Sequence, residues 1–459
     1  MKKTRLTAME RTGLLGTQSL GRLLFRLSGP AITGMLVQSM YNLVDTIFVG
    51  KGVGTLALAA LAVCFPIQML LLGVGKTVGI GAASIISRRL GAGRDREAGI
   101  VAGGSFILAA ILGLLISVTG LLLLDDVLRL FGAGEEVLPY GRDYLGTVLL
   151  GGTFFAVTVC SNDIARSEGN AKVAMISMFM GAGVNIVLDP IFIFALDMGI
   201  RGAALATVIG QVSAFLWITS YFFLGGRSYL KFDCGHLIPG FRQSWKIIKI
   251  GSPAFSRIVG GSLMALTVNN AIMHYGLPMH LAVLGVANRM MTFALMPIFG
   301  LVQGLQPIVG YNYGARAFSR VKKALKYAVI SATVLTGSYF LLFQLAPSLI
   351  LGLFSNDSEL IAQGAAILRI LVLMMPLVGF QVIGAGTFQA LGKAGIALVL
   401  STSRQVLFLI PLALLLPLVV SPPLTGVWAA FPSADFLAAC VTAFFFLREV
   451  RNMRELATG

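Results

Sequence analysis

The chain has 459 residues, 57% of them hydrophobic and only 12% charged, whereas soluble domains carry roughly 25% charged residues. With four cysteines and this apolar content, it is neither a disordered segment, nor a disulfide scaffold, nor a water-soluble enzyme. The net charge of +16 would suggest nucleic acid in a soluble chain, but in a membrane chain an excess of Lys and Arg in cytoplasmic loops explains it.

In chain order, the first 26 residues hold Lys2, Lys3, Arg5, Arg11, Arg22 and Arg26 without an apolar core, so no cleavable signal peptide is expected. Twelve apolar runs long enough to span a bilayer follow. Their approximate limits are 22–50, 56–86, 99–124, 138–164, 171–197 and 200–225, then 244–274, 281–312, 320–346, 362–391, 395–418 and 425–449. Turn signals separate them, among them GAGR at 91–94, GAGEE at 132–136 and SPP at 421–423. The predicted organisation is a first lobe over 1–225 carrying a cation site, a cytoplasmic linker over 226–243 and a second lobe over 244–459. Cys64, Cys160, Cys234 and Cys440 are far apart and show no ligand spacing, so they read as packing residues.

With the amino terminus placed inside, the tails and even-numbered loops hold 26 Lys and Arg residues and the odd-numbered loops four, Lys51, Arg129, Arg142 and Arg201. This asymmetry predicts both termini cytoplasmic and removes any need for a nucleic-acid partner.

A shift of 223 residues lays one half on the other. It carries Pro30-Ala31 onto Pro253-Ala254, Gly81 onto Gly304, Gly91-Ala92 onto Gly314-Ala315 and Leu130-Phe131 onto Leu353-Phe354. Glu136, Gly141 and Gly169 fall on Glu359, Gly364 and Gly392 in the same register. Six spans per repeat is an even number, so the halves are parallel repeats about an axis along the membrane normal. Such a pair predicts alternating access around a cavity between the lobes. No GxxxxGK[ST] loop is present to handle a nucleotide.

Asp45, Asp189 and Asp435 lie well inside spans 1, 5 and 12. A carboxylate at bilayer depth costs about 2.5–3.5 kcal/mol on insertion scales, so each needs a reason. The register places Val268 and Leu412 opposite Asp45 and Asp189, which favours a cation or proton site confined to the first lobe. Asn185 and Asp189 share a helix face, as do Tyr41 and Asp45, and Thr207 returns in span 6 to a similar depth. Such oxygens either ligate a small hard cation or, in a dry site, take up a proton.

The other charges speak less clearly. Asp435 near the outer end of span 12 is expected to cap or pair locally. Lys76 either faces the cavity or pairs with a carboxylate. Arg289, Arg369 and Arg404 give the second lobe a basic interior, and His236, His274 and His280 sit at loops or helix ends, where no proton relay is expected. Met-rich runs such as 175–180 are packing residues or an adaptable cavity wall.

Several segments resemble the multidrug and toxic compound extrusion (MATE) family: QSMYNLVDTIFVG in span 1, RRLGAGRDREA after span 2, RSEGNAK after span 4 and NIVLDPIFIF in span 5, with MPIFGLVQGLQPIVGYNYGAR and FQALGKA in the second half. The resemblance implies an all-α polytopic membrane protein, with twelve transmembrane helices in two six-helix lobes forming a V. It also implies a proton- or sodium-coupled antiporter exporting amphipathic, often cationic, organic compounds. The family's coupling site carries over onto Asp45, Asn185, Asp189 and Thr207, with Tyr144 beside them and Na+ or H+ as the ion. Tyr41, Asn162 and Gln38 then line the substrate cavity, and Pro30 matches the proline at which span 1 bends. No cofactor beyond the coupling ion is implied. The expected setting is a bacterial plasma membrane, with membrane lipid and small organic substrates as partners and a monomer as the working unit.

Two rival readings share part of this pattern. A major-facilitator exporter should carry that family's loop motif, which RRLGAGRDRE only superficially matches. A lipid-linked oligosaccharide flippase of the same superfamily also needs a two-lobed cavity. A polyprenyl-transferring enzyme would need clustered acids, and Asp125-Asp126 is an isolated pair.

Overall fold

Hydrocarbon offers backbone N–H and C=O groups no partners, so apolar runs of this length close their hydrogen bonds within helices. A computed structural model describes residues 7–224, 226–231, 240–352 and 357–458. Cys234, His236, the centre of the linker and the Leu353-Phe354 match lie outside these residues.

The first half consists of Leu20–Gly52, Thr55–Gly91, Asp95–Leu122, Leu138–Ser167, Ala171–Pro190 continued by a π-helical turn Ile191–Ala195, and Gly199–Phe223. The second consists of Phe241–Tyr275, Pro278–Gly314, Phe318–Leu345, a split helix Ser358–Leu371 and Met375–Ala390, an interrupted helix Ala394–Val419, and Pro423–Thr458. These are spans 1–12 in the expected order. By length and apolarity nine of the described helices qualify as spans, or ten counting the bent pair. The two others, Leu20–Gly52 and Phe241–Tyr275, open the two halves and carry more polar residues than their neighbours. Apolar side chains such as Leu114, Leu115, Leu216, Leu341, Leu415 and Phe444 face outward as a belt for lipid.

Three prolines explain the irregular stretches. Pro376 cannot donate to the turn before it, and span 10 bends by 48° just ahead of it. Pro190 precedes the wider turn of span 5, and Pro411 follows the π-helical segment Ser403–Leu409 of span 11.

Ala8–Thr17, Leu124–Leu130 and Pro347–Gly352 are short helices that hydropathy did not foresee. Ala8–Thr17 starts with a capping box, in which the Thr7 side chain and Glu10 each satisfy the other's backbone N–H. It bridges the two halves: Thr12 donates to the Glu168 carbonyl at 3.1 Å, while Asn312 donates to the Leu15 carbonyl at 2.9 Å. Arg320 adds a hydrogen bond to the Gln18 carbonyl at 2.7 Å.

The halves meet through span 1 on span 8, span 7 on span 2, and span 2 on span 8. The first two contacts are equivalent under the 223-residue shift. So are the closest approaches within the third. A Cβ added to Gly91 would lie 2.7 Å from the Tyr311 carbonyl carbon, and one added to Gly314 would lie 2.8 Å from that of Arg88. Only glycine lets these backbones touch. Toward the far ends of the same helices, Met40, Leu43, Phe65, Leu266 and Phe293 are exposed, so the lobes part away from the end that carries Ala8–Thr17. The two lobes form a V.

Candidate functional site

Spans 5 and 6 press together where Gly210 faces Gly181, a Cβ on Gly210 falling 2.7 Å from the Gly181 carbonyl oxygen. That approach sets Asn185 between the two helices. Its amide Nδ2 donates to Asp189 Oδ1 at 3.1 Å and to Thr207 Oγ1 at 3.3 Å. Asp45 comes in from span 1, its carboxyl group next to that of Asp189. Asp45, Asn185, Asp189, Thr207 and Tyr144 are all buried.

Three oxygens in this cluster, Asp45 Oδ1, Asp189 Oδ2 and Asn185 Oδ1, have no hydrogen-bond donor among the described residues. Among the described residues no cationic side chain pairs with either acid. Two carboxyl groups facing each other in a dry interior need a proton or a metal cation between them. With the Thr207 hydroxyl beside them, the donor set is all oxygen, which suits Na+ as well as H+.

Tyr144 and Tyr41 stand within electrostatic reach of Asp45, and Gln68 of span 2 lies beside Tyr144. Gln68 is a member that sequence reasoning missed, although a lone amide inside an apolar run was a signal. Gln38 is half-buried two turns before Asp45 and makes no hydrogen bond to the acids among the described residues. Asn162 is buried beside Asp163, away from the cluster, with its Oδ1 lacking a donor. Pro30 lies in span 1 where Ser28 and Ile32 meet Gly304 and Gly300 of span 8. Its missing N–H frees one carbonyl a turn earlier.

A second charged cluster was only half legible. Lys76 pairs with Asp163 at 3.0 Å, and Arg166 pairs with the same carboxylate at 2.5 Å. Hydropathy predicts that span 4 ends at 164, which leaves Arg166 in a loop. The helix runs to Ser167, and Arg166 is 3% exposed.

In the second lobe the expected basic interior is largely absent. Arg289 and Arg369 are exposed, the latter exchanging hydrogen bonds with Gln344. Asp435 does pair, although its partner is Arg404 of span 11, and its carbonyl accepts from Gln381 at 2.6 Å. His280 accepts from the Leu277 N–H at 2.9 Å and His274 packs edge-on to Tyr275, both at helix ends. Cys64 and Cys160 are buried free thiols and Cys440 is exposed.

The motif RSEGNAK acquires a structural meaning here. Glu168 is buried just past span 4, where it accepts from the Tyr221 hydroxyl, from Ser228 Oγ and from the Tyr229 N–H, the last two at 2.9 Å. Burial pushes its carboxyl up, and these donors pull in the opposite direction. Gly169 turns the chain through a φ of 86°, and Asn170 donates to Tyr221 at 3.1 Å. Glu168 thereby ties the described part of the linker, residues 226–231, to the first lobe.

The MatE family model matches residues 30–191 and again 253–415, so the two matches begin 223 residues apart, on the register read from the sequence. The multidrug export protein MepA of Staphylococcus haemolyticus (strain JCSC1435) is 29% identical over 434 residues, covering 95% of this chain and 94% of the relative. A crystal structure of MATE in the bent conformation superposes with a TM-score of 0.92 at 28% identity, covering 98% of this chain and 99% of the other. A MOP superfamily transporter from Pyrococcus furiosus Vc1, described as having a binding pocket of reverse polarity, superposes at 0.91 with 29% identity, covering 99% and 100%. The chain belongs to the MatE family and is a multi-pass membrane transporter, not an enzyme.

Proposed function

We propose that the chain is a cation-coupled antiporter that exports amphipathic organic compounds by alternating access. The observation that carries this reading is the pair Asp45 and Asp189, buried side by side and, among the described residues, with three undonated oxygens in their cluster and no fixed counter-charge. A proton or Na+ entering from the open end of the V neutralises the pair. Neutralisation removes the penalty on two buried carboxyl groups, which favours one packing of span 1 over another. Pro30 is where span 1 absorbs the change, because the helix lacks a hydrogen bond there. The named function of the Staphylococcus relative, multidrug export, supports the substrate breadth.

The chain acts in a bacterial plasma membrane with both termini cytoplasmic, in keeping with the distribution of Lys and Arg. It functions as a monomer without a cofactor beyond the coupling ion. Gln38, Tyr41 and Asn162 line the substrate path between the lobes.

The test is uptake of a fluorescent amphipathic dye into proteoliposomes under separately imposed proton and sodium gradients. Uphill transport driven by one of them, and lost when that gradient is collapsed, is expected. Dye movement indifferent to both would leave facilitated diffusion as the account.

A further inference from the structure

At the floor of the cleft the charge balance runs opposite to that expected for cationic cargo. Lys76 of span 2, Arg166 of span 4 and Arg257 of span 7 gather where the lobes cross, Gly73 of span 2 packing against Phe255 and Ile258 of span 7. Lys76 lies within electrostatic reach of Arg166 and Arg257, and among the described residues Asp163 is the one carboxylate beside Lys76 and Arg166. Two of the cations share one acid, and the third, Arg257, has none among these residues.

Asp163 is committed to Lys76 and Arg166. Arg257 has no ion pair among the described residues; its guanidinium sits 5.0 Å above the Phe299 ring. A ring face offsets only part of what an intramembrane charge loses in leaving water. Two buried donors beside this floor, Arg166 Nε and Gln389 Nε2, lack an acceptor among the described residues, against one acceptor there, Gln303 Oε1, that lacks a donor. Gln306, which bonds Gln389 at 3.4 Å, lines a small interlobe pocket with Asp163 and Arg166. Lys76 and Arg257 are both half-buried, so each is within reach of a molecule in the cleft.

Building on the export reading above, we propose that Lys76 and Arg257, backed by Arg166, form an anion-binding subsite, and that this transporter's substrates carry a carboxylate, sulfonate or phosphate group. Asp163 is a positioning residue: it holds Arg166 and Lys76 toward the cleft while cancelling one of their charges. An organic anion entering there supplies the missing acceptor, and its apolar body lies along the Met35, Met178 and Met296 side of the crossing, where Met35 contacts Gln303 and Met296 contacts Ser39. Cargo charge and coupling charge are then handled in separate places, and the cation taken up at Asp45 and Asp189 need not compete with the substrate.

The experiment measures binding of 6-carboxyfluorescein and rhodamine 6G to the purified full chain in nanodiscs, followed by gradient-driven transport of both dyes. The wild type should bind the anionic dye roughly tenfold or more tightly than the cationic one. Arg257→Gln and Lys76→Gln should each weaken the anion by about tenfold, Arg257→Lys should retain most of it, and Arg257→Glu should reverse the preference. Lys76→Gln leaves the Asp163–Arg166 pair in place, and Arg257→Gln breaks no ion pair, so neither variant strands a charge. Tighter binding of rhodamine 6G by the wild type, with Arg257→Gln neutral, would overturn the subsite while leaving an ion-driven exporter standing. A loss confined to nanodiscs containing phosphatidylglycerol would assign the subsite to lipid and equally overturn it. Should neither dye move under either gradient, the export reading fails, and the binding preference still decides the subsite.

Discussion

Among the described residues, Asp45 and Asp189 of the first lobe are buried together without a cationic partner, whereas every buried acid of the second lobe has one. Asp435 is held by Arg404, and Glu449 by Lys393 at 2.5 Å. The equivalents of Asp45, Asn185, Asp189 and Thr207 are Val268, Phe408, Leu412 and Ala430. Those of Asp163 and Arg166 are Gly386 and Gln389. One backbone plan therefore serves two electrostatic designs. A buried carboxylate with a built-in counter-ion is a strut, whereas a carboxyl pair without one can exchange what neutralises it.

The sharpest way to break this comparison is to remove the acids. Asp45→Asn and Asp189→Asn should each lower ion-driven uptake by about 100-fold or more while leaving the protein inserted, and the double variant should be no worse than either single, as for groups acting as one unit. Proteoliposome uptake rates check this, and additive losses would mean two independent sites.

Breaking the strut should do the reverse. Arg404→Leu leaves Asp435 buried and unpaired, with an expected loss of about 3–5 kcal/mol, read as a fall in thermal midpoint. The double variant Arg404→Leu with Asp435→Leu should recover most of it, and ion-driven transport should return with the fold. A double variant that folds but no longer couples would place ion chemistry in the second lobe as well.

A smaller effect tests the symmetry of the closed end. Gly91→Leu and Gly314→Leu each force a side chain into the opposing backbone, costing about 1–3 kcal/mol through overpacking. Because the two contacts are related by the repeat, the losses should be similar, and thermal denaturation of the two variants side by side would reveal any inequality. Least of all, Glu168→Gln should weaken the linker's attachment by about 1–2 kcal/mol, seen as faster proteolysis within 226–243 with little change in transport.

Sequence patterning carried the fold further than it carried the charges. Spans and register were legible because an apolar run of about 20 residues has one stable solution in lipid. The i, i+4 spacing of Asn185 and Asp189 likewise read directly onto one helix face. Arg166 was misplaced because a basic residue close to a helix end looks like a loop residue in hydropathy, and its burial depends on Asp163 and on the opposing lobe. Arg257 could be seen to lie in a span, but that it faces Lys76 follows only from the crossing of spans 2 and 7. The helix Ala8–Thr17 escaped notice because its partners are Glu168, Asn312 and Arg320, and no local pattern encodes them.

That helix has a consequence for how the protein is made. Its contacts with Asn312 and Arg320 join residues 297 and 302 positions apart, and the chain emerges with its earlier residues first. Ala8–Thr17 is therefore synthesised before any of the twelve spans, yet its docking surface is complete only after the eighth span has been threaded and the ninth begun. Until then the clasp has nothing on the second lobe to hold. Its docking marks the moment at which both lobes have found each other, late in biogenesis.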